Sequence, residues 1–423
     1  MQRKCQGIDR DNRCVIYSIN DNTVVQYLEG LIPVHTIKIG MIGSGFAARL
    51  HGDAIKFVGG NVKPELYAVA SIGDNLNAFA AEYGFKKTYQ NYKDMLQDPE
   101  IDVVDIIVPP DTHKQCIIDA LNAGKHVICE KPLTGYFGQE GDPLPIGKHV
   151  CRQKMYDEVI KEMELLAQVL ERSSKLFCYA ENWVYAPSVQ KAAEIVSKKK
   201  LKQLLLRGEE SHAGSHAAHA AQFNLNGGGA LIRQGCHPIS AVLYLKQVEA
   251  EARGEIIYPT SVVCDIGALT ANLSDSDKRF IASRPIDVED YAQCIITFSD
   301  GTKADILSAD LLLGGVKNRL EIYANEATLN CNISPNDAMQ SYFANEAGLE
   351  DVHLTEKAQT KLGWQNIFLN ESITRGYAGE LQDFMEAVAF NRAPLSGFKL
   401  AYDTTKVVYG AYASAEKGQR FTF

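Results

Sequence analysis

The sequence predicts an α/β protein in two parts, a doubly wound parallel sheet followed by an α/β unit built on an open, largely antiparallel sheet. Three observations predict this. A short apolar run ends directly in Gly43-Ser44-Gly45 and passes into helix-compatible sequence. Apolar strands and amphipathic helices then alternate as far as residue 180. From about residue 290 the pattern changes to β-rich runs joined by turn residues. At 423 residues the chain is too long for one core. The expected division is an N-terminal extension (1–36), a first domain (37–180, with a loop insertion near 136–151) and a second domain (181–423) whose last helices pack back on the first.

The extension contains "CVIYSINDNTVVQYLEG", two β-rich runs on either side of Asn20, Asp21 and Asn22, which is hairpin chemistry. Next comes "TIKIGMIGSGFAARLHGDAI", in which Ile37, Ile39, Met41 and Ile42 form a strand that runs into Gly43, Gly45 and Ala48. In that context a G-x-G-x-x-A turn is a dinucleotide fingerprint. The first glycine permits the tight turn, the second lets backbone approach a pyrophosphate, and the small Ala48 lets the helix pack on the strand. A second strand is expected at Leu66 to Ser71, a helix in "NAFAAEYG" closed by Gly84, and a buried strand in "DVVDIIVPP" stopped by two prolines. "HKQCIIDALNAG" is a helix closed by Gly124, and "HVICEKP" is another strand. Ligand crevices in such sheets lie at the carboxyl ends of the strands, where Gly45, Pro109, Pro110, Glu130 and Lys131 fall.

Tyr136 to Cys151, rich in Gly and Pro, reads as a loop, and a helix follows over roughly 153–172. "YAQCIITFSDGTKADILSAD" is a hairpin turning at Asp300 and Gly301, "RLEIYANEATLNC" is a further strand pair, and "GELQDFMEAVAF" and "DTTKVVYGAYASAEKG" are amphipathic helices.

Hydrophobic residues make up 46 % of the chain and charged residues 22 %, a globular composition. A formal net charge of -9 repels phosphate backbones and anionic head groups, which argues against nucleic acid and membrane as partners. Ten cysteines occur singly with no CxxC pair, as expected of reduced thiols. No run reaches the roughly 18 apolar residues of a membrane span, and the first thirty residues carry charges instead of an apolar signal core. The expected location is cytoplasmic.

The quoted motifs, with "VPPDTHKQCIIDALNAGKHVICEKPL", "GGGALIRQGCH" and "GELQDFMEAV" in that order, resemble the Gfo/Idh/MocA family of glucose-fructose oxidoreductase and inositol dehydrogenase. The resemblance implies a Rossmann domain that binds NAD(H) or NADP(H) and a second domain whose sheet carries a carbohydrate site on one face. It implies a homodimer or homotetramer built through the other face. It also implies hydride transfer between nicotinamide and a hydroxyl-bearing carbon of a sugar, sugar acid or glycoside, with Lys131 and His237 as catalytic groups. Gly43, Ser44, Gly45, Phe46, Ala47, Ser71, Pro109, His113, Glu130 and Lys131 are the implied cofactor residues, and Arg233, Asn182, Tyr185, His212 and His216 the implied substrate residues. A neutral imidazole is a good base near pH 7, and an ammonium can polarise a developing alkoxide.

Ser71 ends the second strand where an acidic residue would hold the ribose of NAD, and Asp74 close by would repel a 2'-phosphate. NAD is therefore expected, with NADP left open. The family commonly has an aspartate four residues before the histidine, where this chain has Arg233. Read as a helix, the segment places Arg233 and His237 on one face. There an arginine would favour neutral imidazole and attract an anion, unless Glu209 or Glu210 pairs with it. In "EESHAGSHAAHAAQF" His212 and His216 would share a face if helical and can hold a metal with Glu209, Glu210 and His219, but no metal signature is matched and none is expected. In "ENWVYAP", Asn182 and Tyr185 can donate to hydroxyls, and Trp183 and Tyr185 equally suit a core. Two other functions stay open at this point: an NAD-dependent glycosidase or lyase with no net redox, and a non-catalytic dinucleotide sensor.

Overall fold

The computed structural model describes residues 33–215, 217–334, 339–354, 360–367 and 369–423, together with three strands of the N-terminal extension. Those strands, Gly7–Ile8, Arg13–Val15 and Tyr27–Leu31, form a small antiparallel sheet with Val15 opposite Tyr27. The expected turn at Asn20–Asn22 lies outside the described residues.

Six parallel strands make the first sheet. In spatial order they are Lys87–Tyr89, Val62–Ala70, His35–Ile42, Val103–Ile106, His126–Glu130 and Phe177–Ala180. In chain order this is three, two, one, four, five, six, so the direction of winding reverses between His35–Ile42 and Val103–Ile106 and opens a crevice at their carboxyl ends. Ile39, Met41, Val103, Val104 and Ile128 are buried, as strands covered on both faces must be. The second strand starts at Val62, four residues before its expected Leu66, and runs through Pro64; the short Lys87–Tyr89 strand was not expected. Phe46–Ala54, Leu76–Tyr83, His113–Asn122 and Arg152–Glu171 are the main helices of this part.

The second sheet has seven strands, in the order Thr328–Asn332, Lys317–Ala324, Gln203–Ser211, Lys303–Ala309, Tyr291–Phe298, Pro259–Gly267 and Phe421–Thr422. All pairs are antiparallel except Gln203–Ser211 with Lys303–Ala309. Helices Cys236–Arg253 and Phe398–Lys417 cover one face. On the other, Leu205, Arg207, Val263, Gln293 and Ile295 are exposed, the alternation of a half-covered sheet. The helix Tyr377–Phe390 returns to the first part, where Gln382 accepts from the backbone N–H of Gly59 at 2.9 Å. Among the described residues no helix is long and apolar enough to cross a membrane.

The structure corrects the helical reading of the histidine segment. Glu209 and Glu210 end the Gln203–Ser211 strand, so they point to opposite faces. Glu209 pairs with Lys317 at 2.5 Å on the open side, and Glu210 is buried under the covering helices. His212 follows the strand, His219 lies in the single turn Ala218–Ala221, and His216 lies outside the described residues.

Candidate active site

The two glycines of the fingerprint differ in what dictates them. Gly43 has φ +117°, and a Cβ there would stand 2.0 Å from the Ile107 carbonyl oxygen, so the fold itself requires glycine. Gly45 precedes the helix Phe46–Ala54, and nothing lies within 4 Å of where its Cβ would be. The protein gives no internal reason for glycine at position 45; a pyrophosphate set against the helix N-terminus does. Beside this cradle the Ser44 hydroxyl lies 2.8 Å from both Ser71 Oγ and Asn75 Oδ1, and Ser71 Oγ accepts from Gly73 N–H at 3.1 Å. Phe46 and Pro109 are exposed at the mouth, with Ala47 half-buried. These residues fit a dinucleotide.

His113 does not reach the mouth. Its ring is fully buried, with its nitrogens 2.9 Å from the carbonyls of Val108 and Pro132, and burial holds its pKa below the ordinary value. It ties together the loops after two strands.

Lys131 ends the fifth strand, and its Nζ donates to the Arg233 carbonyl at 2.7 Å. Burial opposes the charge, but Cys236, Glu130, Glu210 and Glu181 outweigh it and keep the lysine pKa above its usual value. Glu130 accepts the Lys131 backbone N–H on Oε2 at 2.8 Å and faces His51 Nε2 with Oε1 at 3.2 Å. Both of its oxygens are thereby engaged inside the protein.

His237 is buried, and its Nδ1 lies 2.6 Å from Glu181 Oε1. Its ring stacks on Trp183 at 6.0 Å between centroids, and its Nε2 is 3.9 Å from Glu210 Oε2. A carboxylate only accepts, so the contact with Glu181 suits the tautomer with hydrogen on Nδ1 and the lone pair on Nε2. The sequence reading did not single out Glu181. Its one signal was position, directly after the sixth strand, where the crevice of such a sheet lies.

The glycine-rich segment enters the site as a close-packed turn. A Cβ on Gly229 would be 1.9 Å from the Glu289 carbonyl oxygen, while the Glu289 carboxylate accepts from Gly229 and Leu231 N–H at 3.0 and 2.9 Å. The expected α-helix is replaced by a π-helical turn, Leu231–Gly235, before the helix Cys236–Arg253 begins. Pro238 is the physical reason. It has no N–H, and its ring crowds the carbonyl four residues earlier, so a regular helix cannot run through it unchanged. Five residues before it, the Arg233 carbonyl turns to Lys131.

Arg233 and His237 are held by different partners, Asp310 and Glu181. The Arg233 guanidinium pairs with Asp310 Oδ2, and Gln234 Nε2 donates to Asp310 Oδ1. The partner is Asp310, not Glu209 or Glu210. His212 lies 3.4 Å from Asp310 and 2.9 Å from Gln234 Nε2, on the Arg233 side and not beside His237. Arg233 and Asp310 border a cleft of about 360 Å³ floored by Ala220, Pro285, Ile286 and Val288.

Asn182 and Tyr185 are buried and hydrogen-bonded within the core. Asn182 Nδ2 donates to the Arg375 carbonyl at 2.7 Å, and Tyr185 OH donates to Asp383 at 2.8 Å while accepting from Ser396 N–H at 2.9 Å. Arg375 sits 3.9 Å from Glu210 and 3.0 Å from Glu371. Glu181, Cys236 and His237 offer donor atoms within 4.8 Å of one another, which is metal-like spacing. The Lys131 ammonium interacts with Cys236 and Glu181 of this trio and supplies positive charge there.

Comparison with known proteins agrees with the two-part fold. A family model described as "Oxidoreductase family, NAD-binding Rossmann fold" matches residues 37–139, and one described as "GFO/IDH/MocA C-terminal domain" matches residues 189–330. Levoglucosan dehydrogenase of Pseudarthrobacter phenanthrenivorans is 26 % identical over 330 residues, which is 74 % of this chain and 78 % of that protein. Myo-inositol 2-dehydrogenase of Thermotoga maritima is 31 % identical over 99 residues, 23 % of this chain and 29 % of that one. Among solved structures, GenD2 from gentamicin A biosynthesis in complex with NAD superposes with a TM-score of 0.73 at 19 % identity, covering 92 % of this chain and 97 % of that one. Levoglucosan dehydrogenase in complex with NADH and levoglucosan gives 0.68 at 20 % identity over 92 % and 99 %.

Proposed function

Because this chain belongs to the Gfo/Idh/MocA family of NAD-binding oxidoreductases, we propose that it is a dehydrogenase of a neutral sugar, anhydrosugar or polyol, with Lys131 and His237 as its catalytic groups. The observation that carries the reading is the meeting of Lys131 Nζ with the carbonyl of Arg233, on the turn that delivers His237. NAD, when bound, supplies the hydride acceptor. The protein's part is proton and charge management. The ammonium of Lys131 has donors beyond the one used on Arg233 and directs them at the substrate oxygen, where negative charge grows as its proton departs. Nε2 of His237 takes that proton, with Nδ1–H held by Glu181.

The charge balance supports a neutral substrate. Arg233 is matched by Asp310, and Arg375 by Glu371 and Glu210. The acidic-sugar expectation rested on an arginine that wanted an anion, and Asp310 supplies one. Arg233, one of the two features that kept redox-neutral glycoside cleavage open together with the histidine cluster, is thus engaged inside the protein. The levoglucosan and inositol enzymes among the relatives act on uncharged polyhydroxylated rings, which agrees with this reading. The exposed sheet face around Leu205, Val263 and Ile295 is the surface on which we expect a second copy to pack.

The test is NADH formation from NAD and a panel of neutral and acidic sugars and polyols. Turnover of a neutral ring, lowered roughly a hundredfold to ten-thousandfold in both Lys131→Met and His237→Ala, supports the assignment. Turnover confined to uronic acids, or undiminished in both variants, overturns it.

A further inference from the structure

We propose that His51 is a positioning residue, charged at neutral pH, whose imidazolium clamps Glu130 and thereby fixes the turn that carries Lys131, with Glu380 closing the clamp from the helix Tyr377–Phe390 as a neutral carboxyl. The inference rests on the catalytic reading of Lys131 given above and adds a residue that neither the glycine motif nor that reading requires.

His51 lies one turn into the helix Phe46–Ala54 and is 1 % exposed. Its Nδ1 is 2.9 Å from Asp105 Oδ2, and its Nε2 is 3.2 Å from Glu130 Oε1. A carboxylate only accepts hydrogen bonds. A neutral imidazole has one N–H and would turn its lone pair on one of these two carboxylates. Two donors therefore require the cation, and the cation in turn makes both buried carboxylates tolerable. The contacts form one continuous line. Asp105 is anchored in the buried strand Val103–Ile106, His51 bridges to Glu130, and Glu130 Oε2 accepts the backbone N–H of Lys131 at 2.8 Å. Lys131 is thus held at its backbone by Glu130 and at its Nζ by the Arg233 carbonyl.

Glu380 supplies the third carboxyl. It is fully buried on the helix Tyr377–Phe390, its Oε1 is 4.0 Å from His51 Nε2, and neither of its oxygens has a hydrogen-bond partner among the described residues. Three ionised carboxylates around one imidazolium would leave two excess charges in a dry site, so the one without a donor carries the proton. The charged and titratable groups that face the ring are Asp105 and Glu130 from the sheet and Glu380 from the C-terminal helix. Glu371, on the short helix Glu371–Thr374 packed alongside, is engaged with Arg375.

The directions of the pKa shifts agree with this geometry. For His51, burial favours the neutral ring, but Asp105 and Glu130 outweigh it and hold the pKa well above the ordinary value. Burial would raise Glu130, but His51 brings it below the carboxylate range. Burial drives Glu380 well above that range, with His51 opposing and Glu130 adding to the rise. A raised pKa on His51 means that its charge is kept at neutral pH and is lost as pH rises through the folded-state value. Ionisation of Glu380 would add a negative charge beside Glu130.

The test uses the full-length protein labelled with 15N-histidine and free of cofactor, with the ring signals of His51 assigned by comparison with His51→Gln. At pH 7 both ring nitrogens are expected to be protonated. Asp105→Asn should lower the pH at which the ring loses its proton by about one unit or more and, in the enzyme assay, move the alkaline limb of kcat in the same direction. Glu380→Gln, which mimics a neutral carboxyl, should leave the ring signals at pH 7 as in the parent. A single protonated nitrogen at pH 7 overturns the clamp, as does an alkaline limb that stays in place while the Asp105→Asn ring pKa falls. A fall in the ring pKa of Glu380→Gln as large as that in Asp105→Asn overturns the neutral-carboxyl assignment. Normal turnover of Lys131→Met would instead overturn the catalytic reading, and it leaves the nitrogen spectrum unchanged, so the two failures are distinguishable.

Discussion

Glu181 Oε1 lies 2.6 Å from Nδ1 of His237, although 56 residues separate the two in the chain. The family position for a carboxylate, four residues before the histidine, holds Arg233 here, and Glu181 supplies a carboxylate to the ring from the end of the sixth strand instead. Glu181→Gln presents an amide that can donate to Nδ1 and stabilise the wrong tautomer. We expect kcat to fall by about two orders of magnitude or more with KM nearly unchanged, as for other base-orienting carboxylates. Steady-state and single-turnover rates check this; a rate within a few-fold of the parent would make Glu181 a packing residue.

The fingerprint glycines provide a second prediction. A Cβ at position 45 has nothing within 4 Å, so Gly45→Val should fold with its melting temperature nearly unchanged and lose NADH binding. Gly43→Ala, at φ +117° and against the Ile107 carbonyl, should lose well over about 1 kcal/mol of stability. Calorimetry on both separates a ligand requirement from a folding requirement. Full NADH affinity in folded Gly45→Val would refute the cradle.

Tyr185 was expected at the substrate and is found bonded to Asp383 and Ser396. Tyr185→Phe should therefore cost about 1–3 kcal/mol in stability, the range for buried groups left without a partner, and leave KM where it was. Denaturant unfolding paired with kinetics decides; a raised KM at unchanged stability would return Tyr185 to the substrate site.

The parts of the site that were legible in the sequence obey local rules. Gly43, Gly45 and Lys131 sit where a strand ends, and strand ends can be read from runs of apolar residues and the turn chemistry after them. The strand Gln203–Ser211 escaped because its pairing with Lys317–Ala324 slips between Gln203 and Leu205, which breaks the alternation that marks a strand. Glu181 and Asp310 escaped for a different reason. A carboxylate acquires its role from the partner that tertiary structure brings to it, and Asp310 is 77 residues from Arg233. Pro238 was readable and went unused: a proline at that point disturbs a regular helix through Arg233 and His237.

Arg233 carries the last prediction. Its pairing with Asp310, itself bonded to Gln234 and near His212, makes it a fastener for the substrate-side loops. Arg233→Gln leaves Asp310 buried without its cation, at a cost of about 3 kcal/mol, the low end for breaking a buried pair. Arg233→Asp, which restores the family residue, should be worse than Arg233→Gln, because it sets a second carboxylate against Asp310. The ratio of affinities for acidic and neutral sugars should not change in Arg233→Gln, since the guanidinium is already satisfied. Thermal unfolding ranks the variants, and competition between a uronic acid and its parent sugar reads the ratio. If Arg233→Gln keeps its stability and loses affinity for the uronic acid alone, the arginine serves an anionic ligand and the neutral-substrate assignment falls with it.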